Sequence, residues 1–330
     1  MNRILIIQPA FIGDVILATA VVEKLNQYFP SAHIDFLLRK GNESLLENNP
    51  HLNNVIVWDK KKNKFSNLIE ISKQVRKNKY DYVINLHRFA TSGYITILSG
   101  AKNKIGFDKN PLSFFYSKKF THGIGHGFHE VDRNQQLITS ITDDKAAKPK
   151  LYPSQNDFEK VKQITGTSEK YICIAPASVW FTKQFPVRKW VELIEQLKSS
   201  AIKIYLIGAP SDKIMCDEII SKSSYINIQN LAGQLSFLQS AALIKNAVMN
   251  YVNDSAPLHI CSAMNAKTTA IYCSTVPAFG FGPLADDAII LEIKEKLSCR
   301  PCGLHGYKAC PKRHFKCALE IDVSGLKFEV

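Results

Sequence analysis

The sequence predicts an α/β protein with two doubly wound domains, and three observations predict it. Short apolar runs alternate with helical segments in both halves of the chain, which indicates parallel strands joined by helical crossovers. A length of 330 residues allows two domains of about 150 residues each. Between residues 142 and 157 Lys, Asp, Pro and Ser replace the apolar pattern. We therefore expect domains over residues 1–150 and 151–330.

The first element is a strand followed by a tight turn and a helix. Four apolar residues from Ile4 to Ile7 suit a strand buried on both faces, and Pro9 ends the run. Asp14 falls at the start of the following helix, where a carboxylate accepts backbone N–H bonds and sits well against the helix dipole. It also follows the first strand at the edge where α/β sheets bind ligands. Asp14 is therefore either a helix cap or a functional carboxylate.

The later elements repeat this alternation of strand and helix. In the first domain we predict strands at 32–38, 55–58 and 82–86, helices at 42–47 and 68–77, loops over 111–127 and a helix that opens at residue 129. In the second we predict strands at 171–175, 202–207, 226–228, 247–251 and 268–272, and helices at 187–197, 212–220, 237–245 and 256–264. Two Rossmann-like domains in tandem are expected to leave a cleft between them.

Composition favours a soluble globular protein, with 45% hydrophobic and 22% charged residues. The N-terminal apolar run does not resemble a signal peptide, because Pro9, Gly13 and Asp14 interrupt it. No segment is apolar and regular enough to predict a membrane-spanning helix. We therefore expect a cytoplasmic protein whose eight cysteines are reduced thiols.

The net charge of +13 indicates an anionic partner, which leaves nucleic acid, phospholipid headgroups and phosphorylated saccharides open. The basic residues concentrate at 60–79, 102–119 and 300–316, although such runs also occur on solvated faces. No nucleic-acid-binding module is recognisable in the sequence. A Rossmann oxidoreductase is disfavoured because no G-x-G-x-x-G follows either opening strand.

Two segments of the second domain are candidates for phosphate binding. Asp254 or Ser255 can cap a helix with Pro257 in its first turn, and the N–H groups there suit a phosphate. A histidine at 259, on the same helix, is either a ligand contact or a core residue. The loop at 176–186 carries Ser178 and Lys183, which can contact a diphosphate, although a surface lysine is the simpler interpretation.

A third candidate is the cysteine pattern near the C-terminus. Cys299 and Cys302 form a C-x2-C pair, and Cys310 and Cys317 follow with His314 between them. Four thiols can hold Zn²⁺, but the spacing of the second pair is not that of a standard zinc ribbon or finger. Reduced structural cysteines in a basic loop are the alternative.

Together, Gly13-Asp14, the 178–186 loop and the 253–259 segment resemble the ADP-heptose:lipopolysaccharide heptosyltransferases of glycosyltransferase family nine. The resemblance covers nearly the whole chain, and the Cys299-to-Cys317 pattern resembles the second-heptose branch. It implies GT-B architecture, with the acceptor on the first domain and the nucleotide sugar on the second. It also implies inverting, metal-independent transfer from ADP-L-glycero-D-manno-heptose to a lipopolysaccharide inner-core acceptor, with a family member that uses another nucleotide sugar as the alternative.

The resemblance also implies roles for individual residues. Asp14 matches the general base, Lys183 the phosphate-binding lysine and Ser178 a hydroxyl contact to the same group. Asp212 stands where the family usually has a Glu near the ribose, and Leu235 where an apolar residue packs on the adenine. The remaining residues assigned to substrate binding are Gly13, Asp254, Ser255, Ala256 and His259.

Val179 replaces a second hydroxyl residue that is common in the donor loop of the family, so the resemblance does not extend to one donor contact. No cofactor and no nucleic-acid partner are expected. The expected acceptor is an anionic lipid-saccharide, met at the inner membrane face by a peripheral, monomeric enzyme. Basic residues between Lys60 and Lys119 are expected to attract that surface.

Overall fold

The computed structural model describes residues 3–60, 64–125, 127–166, 170–324 and 326. The chain divides into two compact units, Met1–Tyr152 and Pro153–Val330. Of the basic residues in the 60–79 run, Lys61 and Lys62 lie outside the described residues. None of the described helices combines the length and the hydropathy that crossing a bilayer requires.

The described part of the first unit is built on one six-stranded parallel sheet in the order β3-β2-β1-β4-β5-β6. Its strands are β1 (Arg3–Ile7), β2 (His33–Arg39), β3 (Asn54–Trp58), β4 (Tyr82–Asn85), β5 (Asn103–Phe107) and β6 (Lys118–Phe120). Its α-helices are α1 (Ile12–Tyr28), α2 (Lys64–Lys77), α3 (Ala90–Leu98) and α4 (Glu130–Gln136), and 3₁₀ helices lie at Glu43–Leu45 and Ser113–Phe115.

The centre of this unit follows from the apolar opening of the chain. Ile4 to Ile7 are fully buried in β1, which pairs with β2 on one side and β4 on the other. Helix α1 is buried from Val15 to Val22. A helix that is apolar on nearly every side has to lie in the interior, so α1 is fixed against the sheet.

The described part of the second unit repeats this plan in the strand order β12-β11-β10-β7-β8-β9, again with all pairs parallel. Its strands are β7 (Tyr171–Ala175), β8 (Lys203–Leu206), β9 (Ile228–Asn230), β10 (Met249–Asn253), β11 (Thr268–Tyr272) and β12 (Ala288–Glu292). Its α-helices are α5 (Gln155–Thr165), α6 (Val187–Leu197), α7 (Lys213–Lys222), α8 (Phe237–Asn246), α9 (Ala256–Met264) and α10 (Lys316–Leu319). Further 3₁₀ helices lie at Phe181–Lys183, Lys198–Ser200, Pro210–Asp212 and Pro277–Phe279.

These two parallel sheets, with helical connections between their strands, confirm the predicted doubly wound α/β class. Two segments contain elements that the sequence did not predict. Strand β6 lies within the predicted loops at 111–127, because it is short, two of its three residues are lysine, and it therefore shows no apolar alternation. Helix α5 begins inside the polar 142–157 segment, where Ser154 and Asp157 form a capping box: the Asp157 N–H donates to Ser154 Oγ at 3.2 Å, and the Ser154 N–H donates to Asp157 Oδ2 at 2.8 Å.

The described C-terminal residues belong to the core of the second unit. Phe315, Cys317, Ala318, Ile321 and Val323 are buried in the same cluster as Trp190. Residues 327–330, which end the chain, lie outside the described residues.

Candidate active site

The candidate residues of the second unit all follow strands at the carboxyl edge of its sheet. Ser178 and Lys183 follow β7, Asp212 follows β8, Leu235 follows β9, and Asp254 and Ser255 follow β10. Strands β7 and β10 are neighbours, with Ala175 opposite Val252. They are also the strands at which the order of the sheet reverses, and ligands bind α/β sheets at such a switch point.

Lys183 and Asp254 meet at this switch point. Lys183 ends a 3₁₀ helix after β7, and its Nζ lies 2.7 Å from Asp254 Oδ2. The two side chains are only 15% and 9% exposed. Thr275, which follows β11, donates its hydroxyl to the same Oδ2 at 2.6 Å. The interpretation of Lys183 as an unengaged surface lysine is therefore wrong.

Asn253, the last residue of β10, holds the Lys183 loop against the strand. Its Nδ2 donates to the Pro176 carbonyl, and its Oδ1 accepts from the Phe185 N–H at 3.1 Å. Within the loop, Gln184 Nε2 donates to the Ser178 carbonyl at 2.6 Å. Hydrogen bonds at both ends of the loop therefore set where Lys183 lies.

The start of α9 lies directly after Asp254. Ser255 is the N-cap residue, but its side chain makes no capping hydrogen bond and its hydroxyl contacts the Asn253 carbonyl at 3.4 Å. Asp254 is turned toward Lys183 instead of the helix. Pro257 has no N–H, and the Leu258 N–H is bonded to the Ser255 carbonyl, so the Ala256 N–H is the amide at this end that suits a phosphate oxygen.

His259 lies one turn into α9 and is 6% exposed. Its ring contacts the Phe281 ring edge-on, with centroids 6.3 Å apart. This packing matches the interpretation of His259 as a core residue, and it places the imidazole beneath the helix start.

Asp212 and Leu235 lie on two loops that pack against each other. The Gly233 N–H donates to the Gly208 carbonyl at 2.9 Å, and Gly233, with φ +77°, lies directly against Pro210. Asp212 Oδ2 accepts from the Ala209 N–H at 2.8 Å, so this carboxylate fixes its own turn. Leu235 is half-buried just before the cap of α8.

The cysteine-rich segment fastens onto the Lys183 loop. The Thr182 N–H donates to the Tyr307 carbonyl at 3.1 Å, and the Tyr307 N–H donates to Thr182 Oγ1 at 2.8 Å. Arg300 donates to the carbonyls of Cys273 and Thr275, both at 2.8 Å, beyond the end of β11. The segment therefore supports the loops that carry the Lys183–Asp254 pair.

The same segment contains the four cysteines that form the candidate zinc site. All eight cysteines are free thiols, and Cys299 Sγ lies 3.7 Å from His314 Nε2. Among the described residues no three His, Cys, Asp or Glu side chains are grouped as a metal site requires. We assign no metal-dependent chemistry to this segment.

In the first unit, Asp14 occupies the third position of α1 beside Gly13. Its Oδ2 accepts from the N–H of the N-cap residue Phe11 at 3.1 Å, so the carboxylate does cap the helix. The side chain is half-buried at the carboxyl edge of the sheet. Asp14 therefore both caps α1 and lies at the edge where α/β sheets bind ligands.

Cationic side chains surround the Asp14 turn. Lys60 donates to the Pro9 carbonyl at 2.7 Å, and burial, together with the charge of Arg39, lowers the pKa of Lys60 to about 8. The Arg39 guanidinium stacks 4.7 Å from the centre of the Phe11 ring. Burial, aided by Lys60 and Arg88, lowers the pKa of His87 to about 3, so this imidazole is neutral at physiological pH.

A buried carboxylate lies behind this edge. Glu130, at the start of α4, accepts from Arg133 Nε at 2.7 Å and lies 4.0 Å from His122 Nε2. Burial raises the pKa of Glu130, Arg133 opposes that shift, and the charge of Asp14 adds to it. Asp14 therefore belongs to a charged cluster and is not an isolated cap.

We did not predict a role for Arg39, His87, Arg88 or Glu130 from the sequence. A usable signal was present for three of them, because Arg39 ends β2 while His87 and Arg88 follow β4 at the same edge as Asp14. Glu130 had no comparable signal, since its place depends on how α4 packs beside α1.

Comparison with known proteins decides what this scaffold is. The model of glycosyltransferase family 9 (heptosyltransferase) matches residues 68–306, which is most of the chain. The chain belongs to glycosyltransferase family 9. This confirms the resemblance seen in the sequence and makes the protein a glycosyltransferase.

Individual relatives agree with the family. Lipopolysaccharide heptosyltransferase 3 of Escherichia coli is 29% identical over 277 residues, which cover 80% of this chain and 82% of the relative. Other curated relatives are named heptosyltransferase 1 and 2, so the matches support the family without choosing a branch.

Two solved structures share the fold. The ADP-heptose lps heptosyltransferase II of E. coli superposes with a TM-score of 0.78 at 21% identity, over 97% of this chain and 98% of that one. E. coli heptosyltransferase WaaC with ADP-2-deoxy-2-fluoro heptose has a TM-score of 0.70 at 20% identity, over 88% of this chain and 93% of that one.

Proposed function

We propose that the protein transfers heptose from ADP-L-glycero-D-manno-heptose to the inner core of lipopolysaccharide, with inversion and without a metal ion. The observation that carries the proposal is the Lys183–Asp254 pair at the start of α9. A buried, oriented ammonium beside a helix N-terminus suits a diphosphate leaving group. A relative of this family was solved with an ADP-heptose analogue, which supports the choice of donor.

The second unit is proposed to bind the nucleotide sugar. The diphosphate is assigned to Lys183, the Ala256 N–H and the Ser178 hydroxyl. The paired loops after β8 and β9 are assigned to the nucleoside, with Asp212 at the ribose and Leu235 against the adenine. Both assignments agree with the position of these loops at one carboxyl edge of the sheet.

The proposed reaction is a single displacement. Asp14 takes the proton of an acceptor hydroxyl while that oxygen forms a bond to the anomeric carbon of heptose. The bond from that carbon to the diphosphate breaks on the opposite face, and ADP leaves with the electron pair. Negative charge grows on the diphosphate in the transition state, so Lys183 and the α9 amide stabilise the transition state more than the ground state.

The first unit is proposed to bind an anionic lipid-saccharide acceptor at the inner membrane face. Lys60 and Arg39 lie beside the Asp14 turn, and Arg88 follows β4 at the same edge. Their charges attract phosphate or carboxylate groups of the acceptor. We further propose that the enzyme acts as a monomer from the cytoplasmic side.

The proposal is tested by incubating the protein with ADP-heptose and core-lipid acceptors of stepwise length. We expect one acceptor to gain one heptose by mass, with an anomeric configuration opposite to that of the donor, and activity that persists after treatment with a chelator. Parallel binding measurements with ADP-, UDP- and GDP-sugars test the nucleotide. Preference for UDP or GDP would reject ADP-heptose as the donor, and no transfer to any core acceptor would reject the acceptor class.

A further inference from the structure

Two adjacent phenylalanines stand out from the surface of the first unit. Phe114 and Phe115 lie in the 3₁₀ helix Ser113–Phe115 and are 81% and 59% exposed. Their rings pack edge to face, with centroids 5.5 Å apart. Single exposed apolar residues are ordinary, but neighbouring exposed aromatic rings indicate a binding surface.

Hydrogen bonds fix the segment that carries these two rings. Asn110, at the turn before the 3₁₀ helix, donates its Nδ2 to the Phe89 carbonyl at 3.0 Å and to the His87 carbonyl at 3.2 Å. Tyr116, just after the helix, accepts from Asn85 Nδ2 at 2.9 Å. The segment is therefore anchored on both sides to the end of β4, and its exposed rings belong to an ordered turn.

Phe89, whose carbonyl accepts from Asn110, lies beside this turn. It is 64% exposed and precedes α3, onto which the turn packs so closely that a Cβ at Gly93 would lie 3.1 Å from Leu112 Cβ. We call Phe89, Phe114 and Phe115 the aromatic patch. Phe89 follows β4, whose end lies at the carboxyl edge of the sheet as Asp14 does, and Phe114 and Phe115 lie on the connection from β5 to β6.

The chain around the aromatic patch is strongly basic. Residues 86–120 include six basic side chains and one acidic side chain, Asp108. The basic residues are Arg88, Lys102, Lys104, Lys109, Lys118 and Lys119. Lys118 and Lys119 lie on β6 at the edge of the sheet, where lysines also discourage strand pairing. Discouraging strand pairing does not account for the exposed phenylalanines nearby, because exposed aromatic rings favour association.

We propose that the aromatic patch and its flanking lysines dock the protein on an anionic lipid bilayer. Aromatic rings enter the interface between headgroups and acyl chains, while lysines remain among the anionic headgroups. A second copy of the chain is the weaker occupant, because pairing this face with itself would bring like charges together. The inference rests on the proposed function for its purpose: docking through the first unit presents a lipid-borne acceptor to the unit that carries Asp14.

The test is co-sedimentation of the full-length protein with vesicles of phosphatidylcholine containing roughly one third phosphatidylglycerol, compared with pure phosphatidylcholine. We expect the protein to bind the anionic vesicles, less tightly as salt rises, and not the neutral ones. F114S/F115S is expected to lower the partition coefficient about tenfold. The matched control is I214S/I226S, which removes two exposed side chains of the second unit and is expected to bind as the parent does.

Every outcome of these measurements either supports or overturns the docking proposal. Unchanged vesicle binding by F114S/F115S, or no binding by the parent protein, overturns the inference, as does a parent dimer in sedimentation equilibrium that this variant makes monomeric. Transfer to a lipid-free core oligosaccharide separates this inference from the proposed function. A variant that loses vesicle binding but keeps that transfer supports docking. A parent that binds vesicles but transfers no heptose leaves docking intact and rejects the function.

Discussion

Lys183 Nζ and Asp254 Oδ2 lie 2.7 Å apart, although 71 positions separate the two residues in the chain. They meet because β7 and β10 are neighbours in the sheet and each residue follows one of these strands. Asp254 also accepts from Thr275, so its carboxylate has a fixed orientation. Asp254 is therefore a positioning residue: it orients the ammonium group that we assign to the diphosphate.

The first prediction concerns the stability of this pair. Lys183→Met or Asp254→Leu alone is expected to lower the free energy of unfolding by about 3 kcal/mol, because each leaves a charge buried without its partner. The double variant is expected to recover most of that loss, since neither charge remains. Urea denaturation of the parent and the three variants measures both effects. Additive losses in the double variant would show that the two side chains do not interact.

The same pair yields a prediction for catalysis. Lys183→Met is expected to lower kcat by about 10²- to 10³-fold, the usual effect of removing one group that stabilises transition-state charge. Lys222→Gln, which removes an exposed ion pair with Glu218 on α7, is the control and should leave kcat unchanged. Heptose transfer under donor saturation is the measurement. A kcat of Lys183→Met within threefold of the parent would remove Lys183 from the mechanism.

Gly306 tests whether the cysteine-rich segment supports Lys183. An added Cβ at this residue would lie 2.8 Å from Thr182 Oγ1 and 3.1 Å from Lys183 Cγ, so Gly306→Ala should displace the lysine loop. We expect about a tenfold loss of kcat, together with a stability loss of about 1 kcal/mol from the positive φ of +76°. Steady-state transfer and thermal unfolding measure the two effects.

Gly166→Ala is the matched control for this substitution. Gly166 has nearly the same φ, +75°, but in the described part of the chain nothing lies within 4 Å of an added Cβ. Gly166→Ala should also lose stability because of its positive φ, and it should keep its kcat. If both variants lost kcat to the same extent, backbone strain alone, and not contact with the lysine loop, would explain the effect of Gly306→Ala.

Residues that follow strands were the predictable part of the site. Asp14, Lys183 and Asp254 were each found from sequence because a polar residue after an apolar strand falls at the ligand-binding edge of a parallel sheet. The Lys183–Asp254 pair itself was not predicted, because a single sequence does not state which strands are neighbours. The same reason hides Glu130, whose position depends on the packing of α4 beside α1.

The hydrogen-bond partners of single side chains and the pairing of short strands were less predictable still. Serine is a favoured capping residue, yet the Ser255 hydroxyl makes no cap hydrogen bond and contacts the Asn253 carbonyl instead. Strand β6 pairs with β5 although its lysines mimic a loop. For β6 a tertiary contact outweighs the local preference, whereas for Ser255 one local hydrogen bond replaces another.

Asp14→Asn tests the proposed general base. Asn Oδ1 can still accept from the Phe11 N–H, so the helix cap is largely kept while the basic oxygen is lost. We expect kcat/KM for the acceptor to fall by about 10²- to 10⁴-fold. Affinity for ADP, measured by calorimetry, should not change.

The control for Asp14→Asn is Asp157→Asn. Asp157 holds the same third helical position in α5, where its Oδ2 accepts from the Ser154 N–H at 2.8 Å. Its substitution should leave transfer unchanged. Full activity of Asp14→Asn, or an equal loss in both variants, would show that Asp14 acts only as a cap.

The last prediction is an alkaline limb in the pH profile of kcat/KM for the acceptor. Burial and the charge of Arg39 lower the pKa of Lys60 to about 8, so its positive charge disappears as pH rises through that value. An anionic acceptor is then attracted less strongly, and kcat/KM should fall above pH 8. The expected cause is loss of acceptor affinity, so KM for the acceptor should rise while kcat at saturation stays level.

Lys60→Arg separates this effect from other titrations, since a guanidinium keeps its charge throughout the range. The limb near pH 8 should disappear in that variant, and in Lys60→Gln the value of kcat/KM should be low and flat across the same interval. His87 adds no limb near neutrality, because its pKa of about 3 keeps the ring uncharged there. An unchanged limb in Lys60→Arg would assign the titration to another group and remove Lys60 from acceptor binding.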